Sequence, residues 1–168
     1  MNNIKFFRYL AYSIEILILF VLGSTPSLFK EIYGATPCLL VSLAITISVF
    51  EPEVPSMVFG FVCGALTDLG FSNSIGTFAI GLTIVCFILG YCANNIITVS
   101  FWNVMLATII IVTALLSIHF LFSYVMAGYA DGAVYFVNHY ISRIVQTILY
   151  TVVFYYLNKF IYTTLNDQ

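Results

Sequence analysis

Charged residues are scarce in this chain. Of its 168 residues, 7% are charged, with five Lys and Arg side chains and seven Asp and Glu side chains. A soluble domain carries about 25% charged residues, because water must solvate its surface. The scarcity excludes a soluble fold, and the net charge of −2 gives no electrostatic support for a nucleic-acid partner.

Sequence motifs of enzymes and of metal sites are also absent. The chain contains no H-E-x-x-H, no G-x-S-x-G and no phosphate-binding loop. Its four cysteines form no C-x-x-C pair and have no histidine at metal-ligand spacing. We therefore predict a protein that is not an enzyme, with no catalytic residues, no metal and no cofactor.

Long apolar runs fill most of the chain, since 62% of its residues are hydrophobic. A chain of this length has room for about six helices of about 20 residues, the length that crosses a bilayer. We predict an all-α, polytopic membrane helix bundle that forms a single transmembrane domain over residues 1–168. The predicted spans are 6–28, 33–50, 56–71, 76–94, 101–126 and 137–162.

The basic residues predict the orientation in the membrane. Lys5 and Arg8 precede the first apolar run as in a signal peptide, but the run lacks a clear cleavage motif, so we interpret it as an uncleaved span. Six spans place Lys5, Arg8 and Lys159 on one side and Lys30 on the other, with Arg143 near the outer end of the last span. Because cytoplasmic loops carry the excess of Lys and Arg, we predict that both termini are cytoplasmic.

A break at residues 51–55, with two prolines and two glutamates, separates the second and third segments. Both segments are short for a membrane span, so they form either two short spans or one re-entrant hairpin. A re-entrant turn must be hidden inside protein. Since Glu51 and Glu53 at this turn indicate contact with water, we favour two spans.

Four ionisable residues fall within the apolar segments: Glu15, Asp68, Arg143 and, as a weaker candidate, His119. A charge at the bilayer centre costs about 2.5 to 3.5 kcal/mol on insertion scales, which makes each a functional candidate. A structural role is the alternative for each. Glu15 could pair with Arg8, about 10 Å away along the helix; Asp68 could cap the following loop; Arg143 could pair within the bundle; His119 could be hydrogen-bonded inside it.

Small residues mark possible helix contacts. Gly60 and Gly64 form a G-x-x-x-G motif whose face continues to Asp68, and Ser42 and Thr46 share the same spacing. In lipid, small residues at positions i and i+4 allow two helix backbones to approach closely. We predict that Gly60 and Gly64 face another helix at close range.

The order of these features is typical of one family. A proline opens the second segment, a polar break follows, and the third segment reads G-F-x-x-G-x-x-x-D before a short loop and another glycine. These positions are Pro37, residues 51–55, Gly60, Gly64, Asp68 and Gly76. With the last segment from Arg143 to Lys159, the pattern resembles the bacterial rod shape-determining protein MreD family. Two positions depart from it: Cys38 replaces a frequent acidic residue, and the break carries glutamates instead of glycine or basic residues.

The resemblance implies a six-helix fold similar to the vitamin-binding subunits of energy-coupling transporters. It also implies a non-enzymatic scaffold role in the bacterial plasma membrane, beside MreC, MreB and the enzymes of peptidoglycan synthesis. Pro37, Gly60, Gly64, Asp68 and Gly76 would then be helix-packing and interaction residues. A second hypothesis is a substrate-binding subunit of a vitamin transporter, which would use the polar groups of the last two spans: Asn103, His119, Asn138, His139, Arg143 and Gln146.

Overall fold

The computed structural model describes residues 2–24, 37–71, 76–95, 99–121 and 140–166. Within these ranges the chain forms six α-helices and no strand. The helices are α1 (Asn2–Gly23), α2 (Leu39–Phe50), α3 (Glu53–Phe71), α4 (Thr77–Asn95), α5 (Phe101–Phe120) and α6 (Ser142–Asn166). The prediction of an all-α bundle is confirmed.

Four stretches of these helices are long and apolar enough to cross a membrane: Ile4–Gly23, Thr77–Asn95, Phe101–Phe120 and Ser142–Thr164. Their outward surfaces are apolar. Ile80 is 65% exposed, Trp102 is 74% exposed and Phe160 is 68% exposed. Large apolar side chains that water would reject are well solvated by lipid tails, so the chain is a membrane protein.

Helix α2 lies at the centre of the bundle. Every residue from Leu39 to Val49 is buried, and the helix contacts each of the other five. Its 12 residues span about 18 Å at 1.5 Å per residue, well short of the roughly 30 Å hydrocarbon core. Because protein surrounds α2 on all sides, its length does not have to match the thickness of the membrane.

Helices α3 and α4 form an antiparallel pair with the most extensive contact in the bundle. Gly64 near the end of α3 lies against Phe78 near the start of α4, and Ser56 near the start of α3 lies against Gly90 near the end of α4. The pair thus brings the last turn of α3 beside the first turn of α4, which positions Asp68.

Two helix starts differ from the sequence-based boundaries. Helix α2 begins at Leu39, although the predicted segment began at residue 33; residues 33–36 lie outside the described residues. Helix α3 begins at Glu53 and contains Pro55, which we expected to precede it. Proline is tolerated there, because backbone N–H groups in a first turn have no partner within the helix.

Candidate functional site

Glycines set the distance between α3 and α4. A Cβ atom placed on Gly60 would lie 2.7 Å from Cys86 Cβ, and one placed on Gly64 would lie 2.5 Å from the carbonyl oxygen of Phe78. From the opposite side, a Cβ on Gly90 would lie 2.9 Å from Ser56 Oγ. Any larger residue at these positions would force the two backbones apart.

Asp68 joins the end of α3 to the start of α4. Its Oδ2 accepts hydrogen bonds from the backbone N–H groups of Gly76 at 3.1 Å and Ala79 at 2.9 Å, and its Oδ1 accepts one from Phe78 at 3.2 Å. These N–H groups have no partner within α4 itself, and a negative charge at a helix N-terminus is favourable. Gly76 has a φ of +99°, which glycine adopts without strain.

A ladder of hydrogen bonds joins α2 to α6. At the start of α2, the Cys38 N–H donates to Thr147 Oγ1 at 3.2 Å, and Ser42 Oγ donates to the Thr147 carbonyl at 2.9 Å. Near the other end, Asn158 Nδ2 donates to Thr46 Oγ1 at 3.0 Å. Ser42 and Thr46, which lie four residues apart in the sequence, therefore both face α6. Pro37 is buried directly before this ladder, two residues ahead of α2.

A buried ion pair joins α1 to the junction between α2 and α3. Arg8 Nη2 donates to Glu51 Oε2 at 2.9 Å, and Arg8 Nε lies 2.5 Å from Glu51 Oε1. The guanidinium also lies 5.0 Å from the ring centre of Tyr162 on α6. Because a planar guanidinium binds a carboxylate through two parallel contacts, the geometry is strong and directional. One residue thus connects three parts of the bundle.

The Glu51 carboxyl lies just beyond the last residue of α2 and is fully buried. Burial raises the pKa of this carboxyl, whereas the Arg8 guanidinium, the nearby Tyr12 hydroxyl and the more distant Lys5 lower it. Our expectation that Glu51 contacts water is wrong, because Arg8 supplies the charge that water would otherwise screen. The alternative pairing of Arg8 with Glu15 is also wrong, because the Arg8 guanidinium is bound to Glu51.

Of the intramembrane polar residues, His119 lies near enough to Arg143 and Asp68 to interact with them electrostatically. Nδ1 of His119, at the end of α5, lies 3.0 Å from the Tyr140 hydroxyl, and the His119 ring stacks near Phe78 with centroids 4.9 Å apart. Arg143 is partly buried in the first turn of α6, where its carbonyl accepts a hydrogen bond from Thr147 at 2.6 Å. Glu15 lies midway along α1.

Of the polar residues of the transporter hypothesis that the structure describes, Asn103 lies apart from His119. Asn103 lines a small apolar cavity with Leu89, Val99 and Val104, near the start of α5. His119 lies 16 residues further along α5, about 24 Å away. Gln146 donates to Ser142 Oγ at 3.3 Å within α6. Asn138 and His139 lie outside the described residues.

Comparison with known protein families matches residues 4–160 to the family described as rod shape-determining protein MreD. The chain belongs to this family. No curated protein and no solved structure matches it. As a member of the MreD family, the chain is a cell-shape-determining membrane protein. The likeness to the vitamin-binding subunits of transporters stays a prediction.

The sequence-based set of site residues in this MreD-family chain missed the Arg8–Glu51 pair. A signal for it was present in the topology. The first turns of one span and the last turn of the next span lie on the same face of a membrane, so Arg8 and Glu51 had to be near each other in depth. Opposite charges at one depth on consecutive spans are candidates for a buried pair, even 43 residues apart.

Proposed function

We propose that this protein is a non-enzymatic scaffold of the bacterial elongation machinery, in the plasma membrane with both termini in the cytoplasm. In this role it supports peptidoglycan synthesis by binding MreC, and through MreC it is linked to MreB and to the wall-synthesising enzymes. Membership of the MreD family supports the role, and Lys5, Arg8 and Lys159 support the orientation.

One observation supports a scaffold more than any other: several polar side chains inside the described bundle bind its own helices. Asp68 binds the amides of α4, Arg8 binds Glu51, and Asn158 binds α2 through Thr46. A substrate-binding subunit would instead aim several polar groups into one cavity. Groups that are hydrogen-bonded between helices make a rigid bundle, which suits a protein that holds a partner in place.

The surface that remains for a partner is the apolar exterior. On α5, Leu106 is 59% exposed and Ile110 is 68% exposed, and on α6, Leu149 is 64% exposed. Burial of apolar surface gives little driving force in lipid, so association there rests on close packing and a few polar contacts. We expect a membrane helix of MreC to pack along such a face, with the short loops adding contacts.

Purification in mild detergent, with and without co-expressed MreC, tests the proposal. We expect MreC to be recovered with this protein at a fixed ratio. A photo-reactive amino acid at Ile110 should crosslink to MreC if α5 is the contact face, and the same substitution at the other exposed positions on α1, α4 and α6 maps the alternatives. The fully buried Leu43 is the matched negative control. Recovery of a vitamin-like molecule in place of MreC would contradict the scaffold role and support the transporter hypothesis.

A further inference from the structure

Glu15 brings a carboxyl group to the middle of the membrane. It lies 11 residues beyond Ile4, where the spanning part of α1 begins, so it is about 16 Å along the helix axis and near half the thickness of the hydrocarbon core. Both of its carboxyl oxygens are buried, and neither has a hydrogen-bond partner within the part of the chain that the structure describes.

Among the residues that the structure describes, no cation contacts Glu15. The described titratable groups near Glu15 include Tyr12 on its own helix and Cys63 on α3, both of which are uncharged in their ordinary state. Arg8 lies two turns earlier on α1 and is bound to Glu51, at the junction of α2 and α3. Asp68 is held at the far end of α3 by the amides of α4.

An ionised carboxylate in this position would be unpaired and poorly solvated. Removing such a charge from water without a partner costs several kcal/mol, and the usual outcome in proteins is that the group takes up a proton and becomes neutral. A neutral carboxylic acid is far cheaper to bury, and it keeps both a hydrogen-bond donor and an acceptor. We propose that Glu15 is a proton-binding site between α1 and α3, occupied at neutral pH in the membrane.

Glu15 and Glu51 are then expected to differ in charge: Glu15 is a neutral acid and Glu51 is a carboxylate paired with Arg8. Arg8 contacts both oxygens of Glu51 and compensates a charge there, whereas no described residue compensates a charge on Glu15. Loss of the Glu15 proton at high pH would place an uncompensated charge between α1 and α3. We therefore expect the packing of α1 on the bundle to weaken as the pH is raised.

A carbodiimide distinguishes the two glutamates. Dicyclohexylcarbodiimide enters lipid and reacts with protonated carboxyl groups: the acid adds across a C=N bond, and the adduct rearranges to a stable N-acylurea with no other product. Protein reconstituted in liposomes should be modified at Glu15 at pH 7, with at least tenfold less modification at Glu51, as read by peptide mass spectrometry. Raising the pH should reduce the rate at Glu15.

The Glu15→Gln variant is the matched control, since glutamine has the shape and neutrality of the protonated acid. We expect it to fold like the wild type, to lose the modification and to lose the pH sensitivity of α1. Infrared difference spectra of wild type minus variant should contain the C=O stretch of a protonated acid, whether or not the reagent reaches the site. Carboxylate stretches in that spectrum, or modification of Glu51 in place of Glu15, would overturn the proposal.

Discussion

Removal of the Arg8 side chain should strongly destabilise the bundle. The guanidinium and the Glu51 carboxylate are 6% and 0% exposed, and two contacts of 2.5 and 2.9 Å join them. In Arg8→Ala the carboxylate stays in its buried position without a counterion. Breaking a buried pair in this way costs about 3 to 5 kcal/mol, which is more than a hundredfold in the folding equilibrium.

Reversible unfolding in mixed micelles, followed by circular dichroism, measures this loss. Lys5→Ala is the matched control, because it removes a cation from the same helix at an exposed position. A surface change of that kind stays within about 0.5 kcal/mol. Equal stability of the Arg8 and Lys5 variants would refute the claim that the Arg8–Glu51 contact stabilises the bundle.

A double substitution separates the free energy of the Arg8–Glu51 contact from the cost of removing the two charges from water. In Arg8→Met with Glu51→Met both charges are absent, and well-packed apolar replacements of a buried pair are often neutral or stabilising. We expect the double variant to recover most of the stability that Arg8→Met alone or Glu51→Met alone loses. If the two single losses simply add, the residues do not interact and the contact geometry carries no energy.

The remaining predictions concern the α3–α4 pair and the topology. Gly64→Leu should lower stability by about 1 to 3 kcal/mol through overpacking, whereas Gly70→Leu should be tolerated, because a Cβ there meets no atom within 4 Å; equal effects would place Gly64 toward lipid. Asp68→Ala should cost about 1 to 3 kcal/mol because buried amides lose their acceptor, with Asp68→Asn intermediate, and a neutral result would show that water replaces the cap. In a cysteine-free background, single cysteines at Asn3 and Gly132 should be labelled from opposite sides of the membrane, and labelling of Asn3 from outside would reverse the topology.

The hydrophobic runs predicted the helices correctly because a membrane restricts the structures that an apolar segment can form. Any single segment that crosses lipid must form its backbone hydrogen bonds within itself, so a long apolar run in a membrane forms a helix. The same need for backbone hydrogen bonds explains why the start of α3 was predicted wrongly. Pro55 was expected to exclude a helix, yet it lies in the first turn of α3, where its missing N–H removes no bond. Hydropathy contains no information on which turn of a helix a proline occupies.

The central position of α2 was not predicted, because hydropathy does not separate lipid-facing from protein-facing apolar residues. One signal was available. Ser42, Thr46 and Ser48 distribute small polar groups around α2, and all three are fully buried. A helix with hydroxyl groups on several faces is poorly suited to lipid and well suited to neighbours on every side.

Asp68 and Glu51 show why long-range partners escape prediction. Capping by Asp68 remained one of several alternatives in the sequence, because the amides that it binds lie 8 to 11 residues further along the chain. The burial of Glu51 depends on Arg8, which is 43 residues away. In both cases the local sequence is compatible with contact to water. Only the packing of other helices decides where the charge lies.

If the protein is the scaffold that we propose, interior and exterior positions should give different phenotypes. Asp68, Arg8 and Gly64 hold the helices to one another, so their variants lose a partner only by destabilising the bundle that presents the binding face. An exposed residue such as Ile110 contributes little to folding in lipid, because tails solvate it as well as protein does. A variant that loses MreC while its own unfolding is unchanged consequently marks the contact face, whereas one that loses both reports on the interior alone.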